Sequence, residues 1–284
     1  SAFGGPCYTP TAEKLAENGL KYTKFHTTAL CSPTRAALLS GRNHHSVGMG
    51  AITEMATSAP GNSSIRPKNK APLAETLKLN GYSTAQFGKC HEVPAWQVTP
   101  MGPFQQWPTG SGFEHFYGFV GGEANQYYPG LYEGTTPVEP DKTPEEGYTL
   151  NDDLSKRVCT YIRQQKVLMP DKPFFVYYAP GATHAPHHVP REWSDKYKGK
   201  FDKGWDKLRE EIFARQKKLG VIPKNAKLTD RPEEIPAWND IDEKLKPVLA
   251  REMEIYAGFM EQTDHCMGKV VDTLEDLGIL DDTL

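Results

Sequence analysis

No stretch of this chain approaches the ~18 uninterrupted apolar residues of a membrane helix, so a membrane-spanning helix is excluded and no membrane partner is expected. Long blocks of like charge are missing too. With 33 basic against 36 acidic residues the formal net charge is −3, which argues against a nucleic-acid partner held by a net positive field. The cysteines (Cys7, Cys31, Cys90, Cys159 and Cys266) contain no CxxC pair. An odd, scattered set cannot close a disulfide framework and lacks zinc-finger spacing, so at least one thiol is free and the redox compartment stays open. The chain opens at Ser1 without a basic and then apolar leader, so no targeting signal is read and localisation is left undetermined. No internal repeat and no linker-like composition occur. What is present is 38% hydrophobic, 24% charged and 11% aromatic residues over 284 positions, the make-up of a soluble globular chain with a sizeable core.

Three helix–strand units can be read along it. Thr9-Pro10 predicts a short helix capped by Thr9, with Pro10 at its first position and Gly19 as a left-handed stop. Residues 20–25 then read as a strand. Leu73, Ala74, Leu77 and Lys78 share a helix closed by Asn80-Gly81, and residues 82–87 follow as a strand. A helix over residues 152–165 leads through Lys172-Pro173 to residues 174–178, a continuous apolar and aromatic run that predicts a strand covered on both faces. This alternation implies an α/β fold, a mostly parallel sheet sandwiched by helices. Residues 92–148, rich in Gly, Pro, Trp and Tyr, read as one long irregular stretch. Residues 196–235 read as an exposed, charged helical insertion. Residues 249–277 read as a helix with Ile255, Tyr256, Phe259 and Met260 on one stripe.

The chemistry is concentrated in Cys31-Ser32-Pro33-Thr34-Arg35-Ala36-Ala37-Leu38-Leu39-Ser40-Gly41-Arg42. Ser32-Pro33 is a helix-start signal, which places Cys31 at or just before a helix N-terminus, where free N–H groups favour an anion. Arg35 lies one turn on and can reach back toward the same spot. Nucleophile, helix N-terminus and Arg together suggest attack on an oxyanionic ester. A small buried cysteine opening an ordinary helix accounts for the same residues equally well.

That string resembles the signature of the type I sulfatases: Cys/Ser-x-Pro-Ser/Thr-Arg, three variable residues, then Leu/Phe, Ser/Thr, Gly, Arg. Every fixed position is met. The segment from Thr9-Pro10 to Thr28 resembles the family's opening helix and strand. The segment from Gly81 through Gly88-Lys89-Cys90-His91 resembles its Gly-Lys-Trp-His motif, with Cys90 departing at the Trp. The segment from Tyr178 to Pro186 resembles the loop that delivers a catalytic histidine, here His184. The resemblance runs through most of the chain and implies an alkaline-phosphatase-like sulfatase fold, partial at both ends, with residues 1–284 as one catalytic domain lacking its first strand and C-terminal portion.

It further implies sulfate monoester hydrolysis, of aryl or carbohydrate sulfates, through a Cα-formylglycine hydrate made from Cys31 by a formylglycine-generating enzyme. Arg35 and Lys89 would clamp the substrate's oxygens. His184 would be the general acid for the leaving alcohol, and His91 the base that collapses the sulfated intermediate. A divalent cation, usually Ca²⁺, is expected in the complete protein. Cys31, as formylglycine, would be the one family ligand present, the others lying outside this chain. A phosphate or phosphonate monoester hydrolase of the same superfamily, or a non-catalytic fragment or binding module, remains the alternative.

Other residues invite weaker readings. His44-His45 and His187-His188 read as solvated loop histidines sooner than as metal ligands. Asn151-Asp152-Asp153 reads as a helix cap with acidic first-turn residues sooner than as a catalytic carboxylate pair. Tyr127-Tyr128, Trp96 and Trp107 could line a pocket for an aromatic leaving group, or simply pack.

Overall fold

The computed structural model describes residues 1–284. Its helices are α1 (Pro10–Asn18), α2 (Cys31–Ser40), α3 (Leu73–Leu79), α4 (Leu150–Leu168), α5 (Arg191–Asp195), α6 (Gly204–Leu219) and α7 (Lys246–Asp276). Its strands are β1 (Ser83–Lys89), β2 (His115–Phe119), β3 (Leu131–Glu133), β4 (Thr136–Val138) and β5 (Phe174–Ala179). The chain forms two compact units, one of residues 26–186 and 269–284, the other of residues 1–25 and 187–268. None of the helices is long and apolar enough to cross a membrane.

The first unit is built on one sheet of order β4-β3-β2-β1-β5. β1 runs parallel to both β2 and β5, while β3 and β4 complete the sheet by antiparallel pairing. Parallel neighbours need crossovers, and the helices that make them cover the faces. Ala85 and Phe87 of β1 and Phe174, Val176 and Tyr178 of β5 pack on Leu150, Leu154, Val158 and Ile162 of α4. The alternate residues of β5, Phe175 and Tyr177, face the other side with Leu39 of α2 and Ala74 of α3. Strand periodicity thus sends successive side chains into two separate helix layers.

Several expectations are corrected here. Residues 20–25 form no strand: no ladder pairs them, and Leu20 and Phe25 are 84% and 70% exposed. Gly19 is extended (φ −133°) and not left-handed, and Thr9 makes no side-chain cap bond. β5 has helices on both faces as expected, yet it is only half-buried, because it lies at the end of the strand order with a strand partner on one side only. Residues 92–148 are not uniformly irregular, since they supply β2, β3 and β4. The cap of α4 is Thr149, whose side chain accepts from the Asp152 N–H, two residues earlier than Asn151-Asp152-Asp153 suggested.

In the second unit, α6 carries the charged segment expected within 196–235, and Gly204 is its one buried residue. Here α7 buries far more than an apolar stripe. Glu254, Glu261, Gln262 and Asp264 are all at most 8% exposed beside Ala257 and Phe259. Burial of carboxylates is costly unless they are paired, and each one named has partners. Glu254 accepts from the Gly199 N–H at 2.7 Å and Glu261 from Lys196 at 2.8 Å. The two oxygens of Asp264 accept the Thr11 and Ala12 N–H groups at the start of α1, both at 2.9 Å. That carboxylate replaces the cap that Thr9 does not make.

Candidate active site

The nucleophile candidate opens α2. Leu30 is its cap residue, and Cys31 and Ser32 precede Pro33 in the first turn, where a missing N–H costs nothing. Thr34 closes that turn, its N–H and hydroxyl both donating to the Leu30 carbonyl at 3.2 and 2.7 Å. Gly41 ends the helix in the left-handed conformation, its N–H donating to the Ala37 carbonyl. Each fixed residue of the motif so far named has a local backbone reason.

The rest arrives on the carboxyl end of β1. Lys89 is its last residue, 3% exposed. Burial, followed by the Arg35 charge, pulls its pKa below the ordinary lysine range, while hydrogen bonding and charge attraction to Cys31 pull the other way. Next to it Gly88 (φ +100°) sits where a Cβ would come within 2.2 Å of the Ala179 carbonyl oxygen, so only glycine fits. Cys90, the departure from the family's Trp, packs in an apolar cluster with Val93, Trp107, Phe116 and Val120. Burial pushes its thiol up to about 12, which makes it inert packing.

His91 turns back into the site. It adopts φ +52°, a left-handed conformation rare outside glycine, while its N–H donates to the Val120 carbonyl at 3.0 Å. Its Nδ1 lies 2.9 Å from the Cys31 Sγ. Its Nε2 lies 3.1 and 3.0 Å from the two carboxylate oxygens of Glu54. Gly122 stands against the ring, where a Cβ would meet Cε1 at 2.7 Å. Burial holds His91 below the ordinary histidine range, although the Glu54 hydrogen bond and charge pull upward. Burial also raises Glu54, but the His91 hydrogen bond and smaller contributions outweigh it and leave the carboxyl below its usual range.

Arg35 is anchored across the sheet. Its Nη1 donates to the Lys89 carbonyl at 3.1 Å and to the Tyr177 hydroxyl of β5 at 3.3 Å. Its Nε is buried and donates to no protein atom. Unspent buried donors are rare in folded proteins, and this one belongs to a permanent cation beside Lys89.

His184 is not brought into this cluster by hydrogen bonds. It lies on the loop after β5, where its Nδ1 is 2.7 Å from the Ala185 carbonyl and 3.7 Å from Glu123. A donor is required at a carbonyl, so Nδ1 carries a proton and Nε2 is the nitrogen left for a ligand. A cleft of about 540 Å³ lies nearby, lined by Glu123 and Pro186 together with Phe119, Asn125 and Tyr132.

The other candidates take structural places. Asp152 accepts from Lys269 at 2.7 Å and from the Thr149 hydroxyl at 2.8 Å. Asp153 accepts from the hydroxyls of Tyr117 and Tyr148. His44 Nδ1 bonds the Met49 carbonyl, and the His187 ring packs edge-on to Tyr256. Trp107 is wholly buried against Phe104 and Tyr132, whereas Trp96 and Tyr128 are exposed. No three His, Cys, Asp or Glu side chains converge as a metal ion would require. The one carboxylate on the cluster already serves His91. The side chains described do not form a metal centre by themselves.

Glu54, Tyr177 and Gly122 escaped the sequence reading. Glu54 sits in a short 3₁₀ turn, Thr53–Met55, with no periodic pattern around it. The Gly121-Gly122 pair was the only local hint of a close approach.

A parallel-centred sheet between helix layers, with nucleophile candidate, cations and histidine gathered near the strand ends, defines an α/β architecture of the alkaline-phosphatase-like type. Among relatives, an uncharacterized sulfatase of Schizosaccharomyces pombe is 32% identical over 309 residues, covering 100% of this chain and 53% of that protein. An arylsulfatase of Klebsiella aerogenes is 27% identical, covering 98% of this chain and 60% of that protein. A solved structure in complex with its substrate D-glucosamine-2-N,6-O-disulfate shares the fold at TM-score 0.60 and 20% identity, over 99% of this chain and 60% of that one. The chain thus spans little more than half the length of these curated relatives. Residues 1–284 match the Sulfatase family, and the chain belongs to it.

Proposed function

We propose that the intact protein hydrolyses sulfate monoesters, with residue 31 as the nucleophile-bearing position. The observation that carries this reading is the convergence on Cys31 of the His91 ring at 2.9 Å and the buried Lys89, beside an Arg35 that keeps one donor unspent. A sulfate monoester presents non-bridging oxygens to such a clamp, and fixed donors of this kind contribute roughly 10²–10³-fold each. Conversion of Cys31 to formylglycine would supply the nucleophilic oxygen on the same carbon. The site suits it, since Cys31 is half-buried at a helix start and is not part of the core. His91 accepts a proton at Nδ1, and His184 offers Nε2 to the leaving alcohol. The sulfated sugar in the related structure supports a carbohydrate sulfate as substrate, and the arylsulfatase relative supports an aryl sulfate. The family's divalent cation belongs to this reading for the intact protein.

The test is to express the intact protein with a formylglycine-generating enzyme. Peptide mass spectrometry should find the aldehyde or its hydrate at residue 31. Turnover should favour aryl sulfate over the matching phosphate monoester and be lost on chelation. An unmodified thiol in that host, or a preference for phosphate or phosphonate esters, would overturn it.

A further inference from the structure

We propose that Glu54 is a positioning residue that sets the tautomer of His91. A neutral imidazole has one proton for two nitrogens, and which nitrogen holds it is decided by what the other end faces. Both oxygens of Glu54 lie at 3.0–3.1 Å from Nε2, and an ionised carboxylate can only accept. The proton is therefore on Nε2, and the Nδ1 lone pair points at residue 31 across 2.9 Å. Without the carboxylate the ring is free to protonate at Nδ1, which would turn a base into a donor at the reacting position.

Packing offers no competing account of Glu54. Its side chain is 49% exposed, whereas the His91 side chain it faces is 5% exposed. Half of its own surface reaches solvent, so its burial contributes little, and its place on a short turn makes sense through the buried ring it orients. His91 is otherwise held by its left-handed backbone, its bond to Val120 and the close face of Gly122. Those contacts fix where the ring sits, but none of them is a hydrogen bond to Nε2. Glu54 alone decides the proton.

The inference rests on the sulfatase reading for its catalytic consequence, but not for the tautomer itself. The intact protein and its Glu54→Ala, Glu54→Gln and Glu54→Asp variants would be compared in two ways. Imidazole nitrogen chemical shifts, at a pH where His91 is neutral, should report protonated Nε2 in the parent and Glu54→Asp, with Nδ1 protonation appearing in Glu54→Ala. With aryl sulfate, kcat should fall about 10–100-fold in the Ala and Gln variants, the range for lost orienting partners, with KM within a factor of about three and partial recovery in Glu54→Asp. An unchanged His91 tautomer in Glu54→Ala, or unchanged kcat beside an active parent, would overturn the proposal. A parent inactive on sulfate esters would sink the sulfatase reading instead, and the nitrogen shifts would still decide the role of Glu54.

Discussion

The two histidines at the ends of neighbouring strands are held in opposite ways. His91, after β1, has a buried ring with both nitrogens engaged, and its Glu54 partner is at 3.0 Å. His184, after β5, has a side chain 47% exposed and a Glu123 partner at 3.7 Å, and it keeps one nitrogen free. β1 is a central strand, buried at every residue, whereas β5 ends the strand order and is half-buried. A central strand can force its successor into a strained φ because packing on both sides over-determines it. The end of an edge strand leaves its loop room to move. The comparison teaches that the His91 side is held in one geometry by packing and hydrogen bonds on all sides. The His184 side keeps an exposed ring on a loop with room to move.

The largest effect should follow loss of the preformed side. In the intact protein His91→Ala is expected to lower kcat on nitrophenyl sulfate by about 10²–10⁴-fold. A stopped-flow trace should show a fast burst of phenol ahead of slow turnover, because the first bond is still broken. Absence of the burst would remove His91 from the later step. His184→Ala should cost less on that activated substrate, roughly tenfold or under, but approach 10²–10⁴-fold on alkyl sulfates that need a proton for departure. Equal losses on both substrates would erase the distinction between the two histidines.

The smallest effect concerns the cost that the buried side carries. Glu92 follows His91 directly, and burial, opposed by Arg66, raises its carboxyl to about 7. A folded-state pKa above the unfolded value means the folded state holds the proton more tightly, so stability falls as pH rises through about 4.5 to 7 and is level beyond. Glu92→Gln should remove that slope. Its Tm should match the parent near pH 4.5 and exceed it by a few degrees at pH 8. Parallel curves for the two proteins would show that Glu92 is ionised in the fold.

The sequence by itself determined the local grammar. Pro33 and Thr34 start α2 on Cys31 and Gly41 stops it, because helix caps depend on residues within one turn. The Asn80-Gly81 close and the strands near residues 83–89 and 174–179 were legible for the same reason. Lys89, His91 and His184 were named through their resemblance to family motifs, and the structure gathers the first two beside Cys31. Only the tertiary structure decided what these elements meet. Residues 20–25 carry a strand's composition but find no partner, and β2 lies in a stretch without clear periodicity because its pairing with β1 is what makes it a strand. The same holds at the site. Glu54 is 37 residues from His91, and His91 is 60 from Cys31. No cap or periodicity spans such distances, and the contact exists because the turn at Thr53–Met55, the end of β1 and the start of α2 are packed into one place.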